Sequence, residues 1–392
     1  MKNNKKIQVA LFQWCISDYR LGIFRKLQSR GDMTFTICAP DNVEGHFLCT
    51  SHKEKGFPFI NTVCPTIKLP LINKIIMFQP YMVACIFSRK FDVIILPNDF
   101  SNLGVWLALL LGPLFGCKVC LWGHGTTKRC VKISRFFRGL IMHLAKTIIF
   151  YTEGVRDKWL KQGFRREKLF VAYNALDTDI SNAIIAKTTK EDLDNFCCKN
   201  GFRGKDIVIF SGRLIMPWKR PDILIRAMKE VLAKKPNAHL VVIGDGPDRK
   251  ELEGLACELE LTGHITFTGA IHDEELIGKF MLVSKLAVIP GNAGLGIQHA
   301  FGYGVPFITN SNLDAQTPEI ELLNDGVTGK LCREGDVGDF ANTIVHLLTD
   351  ETERQMMSKN AFNIIETKYN VNNMAKGFFD AVAYCVKNKT LM

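Results

Sequence analysis

The sequence predicts an α/β protein with two doubly wound units, each a parallel sheet with crossover helices. Its 392 residues suit two domains of ordinary size better than one core. Short apolar runs alternate with longer helical patterns in both halves, which is typical of parallel strands joined by helices. The chain is 47% hydrophobic and 23% charged, which excludes wholesale disorder and a polytopic membrane protein.

The individual elements follow from these runs. In the first half we expect strands at 7–13, 34–39, 93–97, 119–122 and 147–151, and helices at 22–29, 73–88, 103–111, 133–145 and 154–161. In the second half we expect strands at 207–211, 240–243, 265–268, 286–290 and 306–309, and helices at 221–233, 249–259, 273–281 and 295–303. Each strand of the second half ends in a loop carrying Gly or Pro, and ligands of such sheets bind at the carboxyl ends of the strands.

The polar stretch 181–204 lacks a strong strand pattern, so we place an interdomain connection there. This predicts an N-terminal domain at 1–180, a C-terminal domain at 205–370 and a final helix at 371–392 that can pack back toward the N-terminal domain.

Basic charge is confined to the first half. Residues 1–180 hold 26 Lys/Arg and 12 Asp/Glu, a balance of +14, whereas 181–392 hold 24 and 27, a balance of −3. Such a field suits nucleic acid, an anionic membrane face or a phosphorylated partner. A basic surface that only aids solubility is the alternative.

Two apolar segments bear on localisation. The run 7–14 is short and interrupted by Gln8 and Gln13, so we expect no secretion signal. The uncharged run 103–117 is shorter than the ~20 residues of a membrane span and contains Pro113, so we expect a buried helix. Thirteen cysteines, most of them scattered along the chain, indicate a reducing compartment and no structural zinc site.

The segment FSGRLIMPWKR, 210–220, carries the strongest chemical pattern. A strand ends at Ser211, Gly212 permits a turn, and Arg213 and Lys219 follow before a helix begins. A guanidinium and an ammonium beside a sheet edge suit a diphosphate. The alternative is a solvated helix start with incidental basic residues.

Two further loops follow strands of the second half. VIGDGP places Gly244 before Pro247, a turn that is weak evidence when taken alone. The segment 288–309 runs into a loop with Gly291 and Gly294, where glycines would let an anion approach the amides of the next helix. His299 lies within that helix, and an ordinary core or surface histidine is the alternative role.

These motifs occur in a fixed order that is more specific than any one of them. GRL with Lys219, GDGP, TG, the Pro-Gly loop, YGVP and PEIELLNDGVTGKL together resemble the retaining glycosyltransferases of family 4, also called glycosyl transferases group 1. The resemblance is strong over roughly 205–350 and only topological before that. It implies a GT-B fold, in which two Rossmann-like domains face each other across a cleft.

The resemblance also implies roles for particular residues. Arg213 and Lys219 match the pair that grips the donor diphosphate, and Leu295 falls where a backbone amide meets the same group. The other implied donor-site residues are Gly212, Gly244 and Pro247 in the turns, Ala270 and Ile271 beside the nucleobase, and Gly291, Gly294, His299 and Glu319 in the later loops. The role of Glu319, in a PE motif, stays open.

In the first half, WGHG after a strand resembles the HG or HD position near the donor sugar, which makes His124 a candidate catalytic residue beside Arg213 and Lys219. A histidine that caps a turn is the alternative. Asn174 resembles the asparagine that follows the last strand of the N-terminal domain.

The sequence departs from the family at one motif. Relatives commonly carry two glutamates spaced as E-x7-E, and Gly291 and His299 occupy those positions here. Imidazole can replace a carboxylate as a hydrogen-bond partner of ribose, but glycine cannot replace the first glutamate. Donor-sugar recognition is therefore different, or activity has been lost.

A basic run also suggests membrane contact. Lys128, Arg129, Lys132, Arg135 and Arg138 lead into Phe136, Phe137, Leu140 and Ile141, the pattern of an amphipathic helix at an anionic membrane. The stretch 69–87 could contribute apolar side chains, and core packing is the alternative for both segments.

We therefore expect a metal-independent glycosyltransferase without a cofactor that moves a hexosyl unit from a nucleotide-sugar to a glycan or lipid-linked acceptor, with retention. Surface polysaccharide or lipopolysaccharide synthesis in the cytoplasm, in peripheral contact with the inner face of the cell membrane, suits the basic first half, and no nucleic acid is expected. A nucleotide-sugar epimerase on the same fold and a non-catalytic nucleotide-sugar-binding protein are the alternatives.

Overall fold

The computed structural model describes residues 6–40, 56–69, 74–125 and 139–387. Its contacts divide the chain into two compact units. Met1–Asp177 and Val371–Met392 form the first unit, and Thr178–Asn370 forms the second.

The first unit contains a sheet of seven parallel strands in the order β3-β2-β1-β6-β7-β8-β9. Its strands are β1 Ile7–Phe12, β2 Met33–Ala39, β3 Phe59–Asn61, β6 Val93–Pro97, β7 Lys118–Gly123, β8 Thr147–Phe150 and β9 Leu169–Val171. A separate antiparallel pair consists of β4 Thr66–Leu69 and β5 Lys74–Met77. The central strands β6, β7 and β8 are buried on both faces, as expected when helices cover each side.

The helices of the first unit cover both faces of this sheet. They are Leu21–Lys26, Pro80–Ser88, Leu103–Leu111, Glu153–Leu160 and Val371–Lys387, with short 3-10 turns at Asp18–Arg20, Leu27–Ser29, Pro113–Phe115 and Arg166–Lys168. One apolar cluster joins Val9 and Trp122 to Phe378 of the last helix, and another joins Phe12 and Leu121 to Ala108.

Two predictions for the first unit were wrong in part. The helix expected at 73–88 is a strand, Lys74–Met77, followed by the helix Pro80–Ser88. Proline suits the first turn of a helix, and the preceding isoleucines pair with β4 instead. The segment 103–117 was expected to be a buried helix, but the helix Leu103–Leu111 is buried on one side only. Leu110 is 52% exposed, and Leu114 in the following turn is 77% exposed.

The second unit contains a parallel sheet of six strands in the order β12-β11-β10-β13-β14-β15. Its strands are β10 Asp206–Ser211, β11 Ala238–Ile243, β12 Ile265–Gly269, β13 Ser284–Val288, β14 Phe307–Asn310 and β15 Gly329–Cys332. Its helices are Thr178–Lys187, Lys190–Lys199, Met216–Lys219, Pro221–Lys234, Arg249–Glu258, Glu274–Val283, Gly296–Gly302, Val337–Thr349 and Glu351–Thr367, with 3-10 turns at Leu313–Ala315 and Pro318–Leu322.

The connection predicted at 181–204 is folded structure. Thr178–Lys187 and Lys190–Lys199 are helices, and both belong to the second unit. Thr189 and Asp192 form a capping box that starts the second of them, while Phe196 packs against Phe280 with ring centroids 4.9 Å apart. Polar composition concealed these helices because only one side of each packs on the unit.

The helix Val371–Lys387 packs on the first unit. Phe378 lies against Trp122 with ring centroids 4.8 Å apart, and a methyl group on Gly377 would overlap the carbonyl of Val171. Close approach of helix and strand therefore requires a glycine at 377.

Candidate functional site

Lys219 joins two adjacent loops at the carboxyl edge of the second sheet. It ends the short helix Met216–Lys219, and its Nζ donates a hydrogen bond of 3.0 Å to the Ala293 carbonyl in the loop after β13. A methyl group on Gly294 would lie 3.5 Å from the same nitrogen, and one on Gly212 would lie 3.7 Å from Lys219 Cε. The structure therefore brings together the predicted residues Gly212, Lys219 and Gly294.

The Lys219 ammonium is largely withdrawn from solvent without a matching ion pair. Burial lowers the pKa of Lys219 to about 8, although the charge of nearby Glu319, which is 3% exposed, acts in the opposite direction. Within the described ranges, Lys219 forms no salt bridge. A partly desolvated cation of this kind can bind an anion strongly, because fewer water molecules screen it.

Arg213 lies on the same loop, six residues before Lys219 in the chain. Its side chain is exposed, and its carbonyl accepts a hydrogen bond of 3.0 Å from the Ile215 amide. Diphosphate binding by its guanidinium stays a prediction.

The GDGP turn supports the loop that carries these cations. Methyl groups on Gly244 and Gly246 would overlap the carbonyls of Gly212 and Leu214, so the two backbones touch. The Leu214 amide donates to the Asp245 carbonyl at 3.0 Å. Only glycine allows this approach, and Gly244 has a φ of +143°. Pro247, which follows, is exposed.

Buried polar side chains fix the Pro-Gly loop after β13. Asn310 donates to the carbonyl of Pro290 at 2.7 Å, and Thr309 donates to that of Gly291 at 3.1 Å. The Gln316 amide bridges the loop, since its nitrogen donates to the Gly291 carbonyl and its oxygen accepts from the Ala293 amide, each at 2.9 Å. These bonds hold Ala293 and Gly294 in place beside Lys219.

Gly291, which occupies the position of the family's first glutamate, has no room for a side chain. Its amide donates to the Lys219 carbonyl at 2.8 Å, and a methyl group there would overlap the carbonyl of Trp218. The loop after β10 therefore fills the space where a side chain would begin.

His299, at the position of the second glutamate, is held by another carboxylate. Its Nε2 lies 2.7 Å from Oε1 of Glu274, and the Tyr303 hydroxyl donates to the same oxygen at 3.2 Å. Hydrogen bonding to His299 helps to lower the pKa of Glu274, although burial of the carboxylate acts in the opposite direction. The ring has one nitrogen left for a ligand, and its contact with ribose stays a prediction.

The remaining predicted residues of the second unit lie on neighbouring loops. Leu295 immediately precedes the seven-residue helix Gly296–Gly302, and its carbonyl accepts from the His299 amide at 3.0 Å. Ala270, which is exposed, and Ile271 follow β12, next to Gly269, whose carbonyl accepts from the Gly244 amide at 2.9 Å.

His124 lies in the first unit, directly after β7. Its ring is exposed and meets Tyr151 edge-on, with centroids 4.4 Å apart. Asn174, after β9, is 5% exposed. The basic run Lys128, Arg129, Lys132, Arg135 and Arg138 lies outside the described residues, so its predicted amphipathic helix is untested.

Sequence reasoning missed Gln316, Asn310 and Glu274. Each is an ordinary polar residue in the sequence, and no motif marks its partner 20 to 25 positions away. In the described ranges one side-chain group, His346, Asp350 and Glu353, has spacing that could hold a metal ion, and it lies on the helices after β15. No described helix is long and apolar enough to cross a membrane.

Comparison with known proteins defines the class. HepE of Anabaena in complex with UDP matches with a TM-score of 0.73 and 18% identity over 96% of this chain and 99% of that one. A glycosyltransferase from Rickettsia africae matches with a TM-score of 0.77 and 15% identity over 98% of this chain and all of the other. The fold is the GT-B glycosyltransferase fold.

Residues 198–364 match the model of the family described as glycosyl transferases group 1. A GDP-mannose-dependent phosphatidylinositol monomannoside mannosyltransferase of Mycolicibacterium smegmatis is 30% identical over 159 residues, which are 38% of this chain and 40% of that protein. A D-inositol 3-phosphate glycosyltransferase of Nocardia farcinica is 30% identical over 40% of this chain and 36% of its own length. The matches thus span less than half of these relatives.

Proposed function

We propose that the protein is a glycosyltransferase that binds a nucleotide-sugar through the second unit and transfers its sugar to a glycan or lipid-linked acceptor. The observation that carries the proposal is the position of Lys219, whose half-buried ammonium meets the Gly294 loop at the carboxyl edge of the sheet. Ligands of doubly wound sheets bind at this edge. The similar mannosyltransferase and inositol phosphate glycosyltransferase support the same class of reaction.

In the proposed reaction, the Lys219 ammonium neutralises the diphosphate as the bond to the sugar breaks. Arg213 adds a second cation from the same loop. Stabilising charge as it develops contributes about 3 kcal/mol per donor group in many enzymes. We propose transfer with retention and without a metal or cofactor, the leaving phosphate accepting the proton of the acceptor hydroxyl.

The first unit supports contact with an anionic membrane, and hence a lipid-linked acceptor in surface polysaccharide synthesis at the cytoplasmic face. Six large apolar side chains on two packed helices and the following turn are exposed, namely Phe87, Leu103, Leu107, Leu110, Leu114 and Phe115. Arg89 and Lys90, also exposed, follow Phe87 in the chain. An apolar patch beside cations is complementary to an anionic lipid surface.

A panel of nucleotide-sugars tests the donor. A preferred donor at 100 times its Kd should stabilise the fold by about 2.7 kcal/mol in thermal unfolding. Lys219→Met should abolish that stabilisation. Lys359→Met, at an exposed position of the helix Glu351–Thr367, is the control and should be stabilised by the donor as much as the wild type. If no nucleotide-sugar stabilises the protein, the proposed function is wrong.

Vesicle sedimentation tests the membrane contact. The protein should bind phosphatidylglycerol vesicles at low salt and bind phosphatidylcholine vesicles weakly. Leu110→Ser combined with Leu114→Ser should reduce binding several-fold. If this variant bound the vesicles as tightly as the wild type, the exposed apolar patch would not contact the membrane.

A non-catalytic nucleotide-sugar-binding protein is the second candidate, because Gly291 leaves no room for the family's first glutamate. Incubation with the preferred donor and a glycan extract separates the two. Release of nucleoside diphosphate that depends on the extract supports transfer, whereas binding without release supports the second candidate. Conversion of the donor into an epimeric nucleotide-sugar without an added acceptor would favour an epimerase.

A further inference from the structure

Arg20 is a buried cation in the first unit, and among the described residues no carboxylate pairs with it. It follows β1, and its side chain is 8% exposed. None of the salt bridges among the described residues includes Arg20. A guanidinium does not lose its proton in proteins, and a buried charge normally requires an opposite charge.

Aromatic residues hold the guanidinium in one orientation. Nη2 donates to the Tyr151 hydroxyl at 3.0 Å, and Cζ lies 4.5 Å from the centre of the Trp122 ring. Nη1 has no hydrogen-bond partner within the described part of the chain. Leaving such donors unpaired in a fold is costly, so this nitrogen points to a missing acceptor.

Neighbouring polar groups share this edge of the sheet. His124, which is exposed, contacts the same Tyr151 ring. Asn98, after the adjacent strand β6, buries both amide atoms without a partner in the described ranges. Its Cβ would lie 3.1 Å from a methyl group on Gly123. Unpaired donors therefore occur after β1 and β6, adjacent strands of one sheet.

The charge of the whole unit favours an anion. Met1–Asp177 with Val371–Met392 holds 29 Lys/Arg and 12 Asp/Glu, a balance of +17, whereas Thr178–Asn370 holds 21 and 27, a balance of −6. A positive field concentrates anions near the surface and lowers the cost of their binding.

We propose that Arg20 binds an oxyanion of the acceptor, a phosphate or a carboxylate, at the carboxyl edge of the first sheet. This inference rests on the proposed function, since it takes the first unit as the acceptor side. The free Nη1 donates to the oxyanion while Tyr151 keeps Nη2 in place, and the bound anion supplies the charge that the fold lacks.

Titration with inorganic phosphate tests this site, with Lys219→Met as the background so that the donor site does not contribute. Phosphate should bind with release or uptake of heat and change the tryptophan fluorescence, because Trp122 contacts Arg20. Arg20→Gln should weaken binding at least ten-fold. A parallel titration with acetate distinguishes a phosphate of the acceptor from a carboxylate. A site for a carboxylate should bind both acetate and phosphate, whereas a site for a phosphate should bind phosphate alone.

Arg354 provides a matched control. It is also 8% exposed, but its Nη1 already donates to the Leu347 carbonyl at 2.8 Å. Arg354→Gln should lower the Tm and leave phosphate affinity unchanged. Where Arg20→Gln fails to fold, Arg20→Lys keeps the charge but loses the planar fork, and it should bind phosphate several-fold more weakly.

The site is overturned if neither phosphate nor acetate binds the Lys219→Met protein, or if Arg20→Gln and Arg20→Lys both bind as tightly as their background. Failure of the proposed function is read separately, from nucleotide-sugar binding to the protein with Lys219 intact.

Discussion

The Lys219 ammonium donates a 3.0 Å hydrogen bond to the Ala293 carbonyl, and this bond joins the loops that follow two neighbouring strands, β10 and β13. The two loops also share a backbone hydrogen bond, from the Gly291 amide to the Lys219 carbonyl at 2.8 Å. The position of the cation is therefore fixed before any ligand arrives, which lowers the cost of binding.

Nucleotide-sugar binding should weaken as the pH rises above about 8. Burial lowers the pKa of Lys219 to about 8, so the ammonium becomes neutral above that pH and loses its attraction for a diphosphate. Affinity for the preferred nucleoside diphosphate, measured by calorimetry between pH 6.5 and 9.5, should fall by up to roughly 30-fold, about 2 kcal/mol. An affinity that does not change with pH would show that the charge of Lys219 does not contribute to binding.

Lys219→Met should raise the stability of the free protein although it abolishes binding. The folded pKa of Lys219 lies below its ordinary value of 10.5, so the ammonium destabilises the fold below pH 8 and this penalty disappears as the pH rises toward 10.5. The lowered pKa corresponds to about 3 kcal/mol of unfolding free energy. The loss of the hydrogen bond to the Ala293 carbonyl reduces the net gain in the variant. Urea unfolding at pH 7 and pH 10 measures it. The gain should be present at pH 7 and small at pH 10.

Gly291→Glu, which restores the family's first glutamate, should damage the site. Any side chain would overlap the carbonyl of Trp218, and forcing atoms into a packed region costs about 1–3 kcal/mol. Gly254→Ala is the control, because nothing lies within 4 Å of the added methyl in its helix, and it should stabilise by about 1 kcal/mol. A folded Gly291→Glu protein with faster transfer would contradict the geometry.

Gln316→Ala should loosen the Pro-Gly loop. The substitution leaves the buried Ala293 amide without its partner and removes a donor from the Gly291 carbonyl, which costs about 1–3 kcal/mol. Both the Tm and donor affinity should fall. Gln355→Ala, at an exposed helix position, should change either by little. If Gln316→Ala bound the donor as tightly as the wild type, the Pro-Gly loop would not contribute to donor binding.

Phe378→Ala should destabilise the first unit. Its ring projects from the helix Val371–Lys387, is fully buried and packs against Trp122. Truncating a buried phenylalanine costs about 3–5 kcal/mol of stability. Lys376→Ala on the exposed side of the same helix is the control. Denaturant unfolding followed by tryptophan fluorescence measures the difference, and equal midpoints would mean that the helix contributes little.

The period of the apolar residues predicted five of the seven strands described in the first sheet and five of the six described in the second, and it missed the short strands β3, β9 and β15. Lys219, Gly212 and Gly294 could be named because glycines after buried strands and a cation before a helix form a local pattern. The helices Thr178–Lys187 and Lys190–Lys199 were missed because their polar composition resembles a connection. The strand Lys74–Met77 was missed because a short apolar run does not distinguish strand from helix.

Local sequence therefore determined the longer strands, where their loops begin and which of these loops carry glycine or a cation, since these properties depend on neighbours within a few residues. The tertiary structure alone decided that the Trp218 carbonyl fills the space beside Gly291 and that His299 is held by Glu274. It also decided that Arg20 is buried among aromatic rings, with no carboxylate partner among the described residues. Each of these relationships joins residues distant in the chain, and packing, rather than any local preference, brings them into contact.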